Sequence, residues 1–183
     1  RKDEIIGHGR TNAESQGELS LEKERELIIE ATETIKKNEG KQPKGWMGPW
    51  ISESHATPDL LQEKGYKYLI AVMDPILRSR IYFTLYEKNA EFFNLIHPTS
   101  YIAKTASIGK GVIICPFTYI GPNAKIHDNV VVNIYASVGH DVSIGHSSFL
   151  GPNSCLLGNS ACGEKVFIGN QSTINVDIKT PTT

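Results

Sequence analysis

From Ile102 to Ile178 every sixth position is apolar: Ile102, Ile108, Ile114, Ile120, Ile126, Val132, Val138, Ile144, Leu150, Leu156, Cys162, Ile168 and Ile174. Four places after each stands a small or branched residue, from Ala106, Val112 and Thr118 through to Ser172 and Ile178, and glycine follows the apolar position at 109, 121, 139, 145, 151, 163 and 169. An α-helix sets apolar residues three to four apart and a half-buried strand sets them two apart, so an unbroken six fits neither. A fixed short period is the mark of a solenoid. The solution is a parallel β-helix in which the large apolar residue points inward from a flat face and the small residue packs beside the corner. Glycine then supplies the backbone freedom that the turn requires. Three such faces complete one coil.

Upstream the pattern changes. Residues 3–8 predict a short strand entering a loop that runs through Gly9 to Gly17. Ser20 is placed to cap a helix over about residues 21–38: Glu22 and Glu24 fall in its first turn, where the helix dipole favours acids, Leu27, Ile28, Ala31 and Ile35 share one face, and Gly40 ends it. Residues 44–50 predict a second short strand, and Thr57 a cap for a second helix with Pro58 in its first turn and Gly65 at its end. Residues 66–73 predict a continuous apolar strand. Asp74-Pro75 begins a third helix in which Leu77, Ile81 and Leu85 recur every four residues, and Phe92 to Pro98 leads into the first coil. The chain is thus expected to be α+β, a small α/β N-terminal region followed by a parallel β-helix.

Composition excludes some classes of function. With 19 basic and 20 acidic side chains in 183 residues the net charge is −1, so no broad basic field invites nucleic acid. No apolar run reaches the roughly 20 residues that cross a bilayer, and the expectation is a cytoplasmic protein with no membrane span. Cys115, Cys155 and Cys162 are odd in number and lack zinc-motif spacing, which predicts reduced packing residues. Arg1 in place of Met implies a processed product or a piece of a longer reading frame.

The six-residue pattern resembles that of hexapeptide-repeat proteins, and the resemblance implies that the β-helix is left-handed. From about Leu69 onward the chain resembles the sialic-acid O-acetyltransferase family, which includes bacterial amino-sugar N-acetyltransferases; the residues that carry this are Asp74-Pro75 with Arg78 and Leu95-Ile96-His97-Pro98. Residues 5–68 resemble an internal piece of a polysaccharide deacetylase of the allantoinase-like subgroup, through Gly-His-Gly-Arg-Thr-Asn at 7–12, Gly-Trp-Met-Gly-Pro-Trp at 45–50 and Thr-Pro-Asp-Leu-Leu at 57–61. Together these imply a deacetylase-like α/β fragment at 1–68, a strand-helix remnant of an acetyltransferase N-terminal domain at 69–97, and a left-handed β-helix acyltransferase domain at 98–183 that lacks the family's further C-terminal coils.

The stretch from Ser137 to Gly145 resembles the catalytic coil of the acetyltransferases. The resemblance implies His140 as general base and Asp141 as the residue that orients it. Acyl transfer from a thioester needs a proton removed from the attacking amine or hydroxyl, work suited to a His beside a carboxylate. Adjacent residues on a strand point to opposite sides, so sequence alone does not establish that the two touch, and a surface His at a turn is the plainer alternative. By the same resemblance Gly158 offers a backbone N–H to the acetyl carbonyl of acetyl-CoA, and Asn133 lies near the acceptor sugar. A corner glycine and a corner asparagine also need no such role. Phe149 stands where some members carry a second His, and His146 is out of register with it. His127, His140 and His146 lack the close spacing of the histidines of hexapeptide-repeat carbonic anhydrases, so no metal is expected. Deacetylases of the resembled kind bind metal through two His four residues apart; here the fourth residue after His8 is Asn12, a poor ligand beside imidazole.

The implied activity is acetyl-CoA-dependent transfer of an acetyl group to a hydroxyl or amine of a sugar, either sialic acid or a nucleotide-linked amino sugar, by an O- or N-acetyltransferase that works as a homotrimer. The alternatives are a catalytically silent β-helix trimerisation module and a polysaccharide deacetylase-type hydrolase.

Overall fold

A computed structural model describes residues 6–10, 14–46, 54–175 and 179–180. The chain divides into two compact units, Arg1–Tyr68 and Leu69–Thr183.

The first unit is mainly helical. Its two strands, β1 (Ile6–Gly7) and β2 (Gly45–Trp46), pair in parallel, and a face of the Trp46 ring lies over Gly7, where a Cβ would come within 2.4 Å of it. Helix α1 (Leu21–Glu39) runs from Ser20, whose hydroxyl accepts the Lys23 N–H, to Gly40 in the left-handed conformation. Of its buried stripe, Leu27, Ile28 and Ala31, the first two pack with Leu60, Leu61 and Tyr66. Helix α2 (Thr57–Glu63) departs from expectation at its start. Ala56 occupies the cap without a side-chain bond, while Thr57 is already helical and its hydroxyl donates to the buried Glu24 carboxylate. That carboxylate also accepts from Gln16 at 2.8 Å and Ser54 at 2.5 Å, and Trp46 donates to Gln16 at 3.0 Å, so one satisfied acid ties α1, α2 and β2 together. Of the expected features, residues 3–5, Asn12 and residues 47–50 lie outside the described residues.

The expected strand at 66–73 spans the boundary between the two units and does not form: bridge pairing occurs only at Tyr68, the last residue of the first unit. The carbonyls of Ile70 and Val72, which a sheet neighbour would have taken, instead accept from the Arg78 guanidinium. Helix α3 (Pro75–Glu87) starts as expected, with Asp74 accepting the Leu77 N–H at 2.7 Å. Its buried face is not the Leu77 row. Pro75, Arg78, Ser79 and Tyr82 are buried and Leu77 is exposed, because Arg78 and Tyr82 find hydrogen-bond partners on the solenoid, Asn129 and Asp128.

The solenoid is the left-handed parallel β-helix implied by the repeat. Two-residue strands alternate with four-residue corners around three five-stranded parallel sheets. Each strand pairs with the one 18 residues away, as Ser137 does with Cys155 and Tyr119, so one coil is three hexapeptides. The first strand is Leu95–Ile96, three residues ahead of the expected start at 98, and Ile96 continues the period of six. Inward residues from Ile114 to Ile168 form one continuous core, each burial stabilising by about 1.5–3 kcal/mol.

Glycine serves a different purpose from the one expected. From Ile108 to Ile168 the left-handed turn residue falls three places after the apolar position, and apart from Gly111 it is non-glycine: Phe117, Asn123, Asn129, Tyr135, Asp141, Ser147, Asn153, Asn159, Lys165 and Gln171, with φ of 55–62°. The glycines after the apolar position lie where coils approach most closely. A Cβ on Gly145 would stand 2.6 Å from the Glu164 nitrogen and the Gly163 carbonyl, and one on Gly121 would stand 2.7 Å from Gly139 C. Coil spacing, not turn conformation, requires them.

Candidate functional site at the His140 corner

The strand Ser137–Val138 ends in a corner whose next residues are Gly139, His140 and Asp141. Asp141 takes the left-handed conformation, φ 58°, which a short polar side chain tolerates and a strand does not use. That turn abolishes the alternation that would separate neighbours. His140 Nδ1 lies 2.8 Å from Asp141 Oδ2, and both side chains are about half exposed. The other Asp141 oxygen accepts from Asn123 Nδ2 at 3.1 Å. Hydrogen bonding to His140, and then to Asn123, holds the Asp141 carboxyl below its ordinary pKa.

Gly158 is stacked one coil above His140. A Cβ there would come within 2.4 Å of His140 Nε2, so only glycine leaves the imidazole its place. The Gly158 N–H makes no backbone hydrogen bond among the described residues, whereas the Asn159 N–H donates to the His140 carbonyl at 2.9 Å. His140, Asp141 and Gly158 therefore share one corner. Asn133 lies at the opposite end of the Ser137–Val138 strand, its side-chain oxygen accepting the Ile134 N–H at 2.7 Å, and the structure does not bring it to His140. Asn123 was missed in sequence. Its signal is the offset of 18 from Asp141, one full coil.

The remaining candidates play other parts. Phe149 is buried and stacked on Phe167 with ring centroids 4.9 Å apart. His146 Nε2 pairs with Glu164 at 2.8 Å, and its ring meets the edge of Phe83 on α3. His127 is exposed. Cys115, Cys155 and Cys162 are thiols outside any disulfide, and Cys162 is buried. Among the described residues no group of three or more His, Cys, Asp or Glu side chains could hold a metal ion, and no helix is long and apolar enough to cross a membrane.

Residues 123–158 match the family model described as bacterial transferase hexapeptide (six repeats), a stretch that holds Asn123, Asn133, His140, Asp141 and Gly158. A peptidoglycan deacetylase from Helicobacter pylori is 32% identical over 65 residues, 36% of this chain and 22% of that protein. An acyl-[acyl-carrier-protein]–UDP-N-acetylglucosamine O-acyltransferase from Chlamydia pneumoniae is 37% identical over 78 residues, 40% of this chain and 28% of that protein. The chain thus spans between a fifth and a third of the length of these two relatives. Among solved structures, PerB from Caulobacter crescentus in complex with CoA and GDP-perosamine aligns over 95% of this chain and 89% of its own, with a TM-score of 0.56 and 17% identity, a likeness of fold.

Proposed function

We propose that this chain is an acyltransferase that moves the acetyl group of acetyl-CoA to an amine or hydroxyl of a sugar, with nucleotide-linked amino sugars the favoured acceptors and sialic acid the alternative. The observation that carries this is the His140–Asp141 pair, 2.8 Å apart, with Gly158 against the free face of the imidazole. Support for the acceptor class comes from the relative named for UDP-N-acetylglucosamine, and for the acyl donor from the neighbour of like fold that holds CoA with GDP-perosamine.

Asp141 accepts a hydrogen bond from the Nδ1–H of His140, which leaves Nε2 as the base. Nε2 takes the proton from the acceptor nitrogen or oxygen as its lone pair forms a bond to the thioester carbonyl carbon. The carbonyl electrons move to oxygen, where the Gly158 N–H donates to the developing charge. They return as the C–S bond breaks, and the thiolate of CoA leaves with the proton from the imidazolium. The product is an amide or an ester, formed in one ternary complex without an acyl-enzyme. Asn133, at the far end of the strand, contacts the acceptor in an assembly in which a neighbouring copy completes the groove. A homotrimer working in the cytoplasm fits this chemistry, since CoA and nucleotide sugars are met there.

The test is thiol release from acetyl-CoA with UDP- and GDP-linked amino sugars and sialic acid offered in turn. His140→Ala is expected to lose the transfer, and full activity in that variant overturns the assignment. A β-helix that serves only to trimerise binds no CoA at micromolar concentration, so CoA affinity separates the two. The deacetylase relative favours a second reading for residues 5–68, that of a segment akin to a polysaccharide deacetylase. Release of acetate from an acetylated glycan with added zinc tests it.

A further inference from the structure

The Asp141 carboxylate is held from two sides: Oδ2 pairs with His140 Nδ1 at 2.8 Å and Oδ1 accepts the Asn123 amide at 3.1 Å. Asn123 occupies the same corner one coil earlier, in the same left-handed conformation, φ 57° against 58°. It is itself fixed from below, since its backbone N–H donates to Thr105 Oγ1 at 3.0 Å. Thr105, Asn123 and Asp141 thus form a column of short polar side chains at 18-residue steps, and each restrains the next.

An exposed carboxylate beside an imidazole is free to turn toward water, and 45% of the Asp141 side chain is exposed. A second donor on its other oxygen removes that freedom. The donor must be neutral, because a cation would compete with the imidazolium for the same charge, and it must reach Asp141 Oδ1 from the corner one coil earlier. Asparagine meets both conditions.

We propose that Asn123 is a positioning residue for the acyl transfer: it holds Asp141 in the orientation that keeps the proton on His140 Nδ1 and leaves Nε2 free to act as base. This rests on the acetyl-transfer reading given above. Asn123 touches no reacting atom, and its effect passes through Asp141.

The experiment uses the full chain labelled with 15N-histidine, so that the His140 tautomer is read directly by NMR whether or not an acceptor has been found. Asn123→Gly keeps the left-handed turn and deletes the donor; Asn123→Asp places a like charge against Asp141; Asn123→Gln retains an amide. The wild type is expected to hold His140 mainly as the Nδ1–H tautomer. The Gly variant shifts population to Nε2–H, the Asp variant shifts it further, and the Gln variant recovers part of the wild-type signal. With an active acceptor, kcat falls about threefold to tenfold in Asn123→Gly while KM for acetyl-CoA stays level, the pattern of lost transition-state stabilisation without lost binding. An unchanged tautomer in Asn123→Gly overturns the proposal, and so does a shifted tautomer with unchanged kcat. If the wild type transfers acetyl to no acceptor, the acetyl-transfer reading fails and the catalytic role of Asn123 falls with it, while the tautomer measurement still decides whether Asn123 orders the pair.

Discussion

The guanidinium of Arg78 is fully buried, and its Nη2 donates to both the carbonyl and the side-chain oxygen of Asn129, each at 2.8 Å. Its Nη1 donates to the carbonyls of Ile70 and Val72, and its Nε to the Asn129 carbonyl at 3.3 Å. Burial pulls its pKa down to about 10, so the group is still a cation at neutral pH, neutralised by carbonyl dipoles and not by a carboxylate. Asn129 is likewise buried, held in the left-handed conformation, and its amide passes on to Ser147 Oγ at 2.9 Å. Arg78→Ala strands these buried acceptors and opens a cavity, an expected loss of about 3–5 kcal/mol. Hydrogen exchange locates it: amides of α3 lose protection while Ile120, Val138 and Ile144 in the solenoid keep theirs. Arg78→Lys recovers little, since an ammonium cannot span the same fork of acceptors.

Two glycines of identical position in the repeat are expected to respond oppositely to one methyl group. At Gly145 a Cβ would meet the Glu164 nitrogen and the Gly163 carbonyl at 2.6 Å, all backbone, so the coils must separate. At Gly169 the nearest atom is Ser172 Oγ at 3.3 Å, the end of a side chain that can rotate. Gly145→Ala should cost about 3 kcal/mol by overpacking, and Gly169→Ala should fall within about 0.5 kcal/mol of wild type. Chemical denaturation of the two variants checks the difference.

The inward side of the solenoid was legible because one large apolar residue per hexapeptide is a local signal, repeated at Ile114, Ile120 and Ile126 without interruption. What was hidden depended on the partner coil. The glycine at 145 looks like a turn residue until the backbone 18 residues on is placed beside it, and the true turn residues, such as Phe117 and Tyr135, carry no mark of a left-handed conformation. Periodicity also misled at α3, where the row of Leu77, Ile81 and Leu85 is regular but Leu77 is exposed and the other two are only partly buried, while the buried row holds Arg78, whose hydrogen bonds outweigh the apolar pattern. At the site, His140 and Asp141 were visible as a pair of types, while their contact followed only from the φ of Asp141.

Gly158→Ala probes the space around the imidazole. The added Cβ would lie 2.4 Å from Nε2 and 2.7 Å from Cε1 of His140. The ring is half exposed and can swing away, so the fold is expected to survive and Tm to move by only a few degrees. Catalysis is not so tolerant, because displacing the base by about 1 Å removes up to about 100-fold in rate. Comparison of kcat with the melting curve distinguishes a displaced base from a damaged solenoid. Retention of wild-type kcat would show that Nε2 does not work from this position.

The pH range over which the His140–Asp141 pair holds together follows from Asp141. Its carboxyl is held below the ordinary carboxylate value by His140 first and Asn123 second. The ionised form is the one that accepts both hydrogen bonds, so their contribution is complete above the unfolded pKa of about 3.9 and disappears as the pH falls through the lower folded value. The pair therefore stays assembled throughout the mildly acidic range. Carboxyl 13C NMR is expected to place the Asp141 midpoint below that of an unpaired aspartate in the wild type. In Asn123→Gly the midpoint should rise partway, because the smaller of the two hydrogen-bond contributions is lost, and in His140→Ala it should rise further. An Asp141 midpoint unaffected by His140→Ala would mean that the 2.8 Å contact carries no charge interaction.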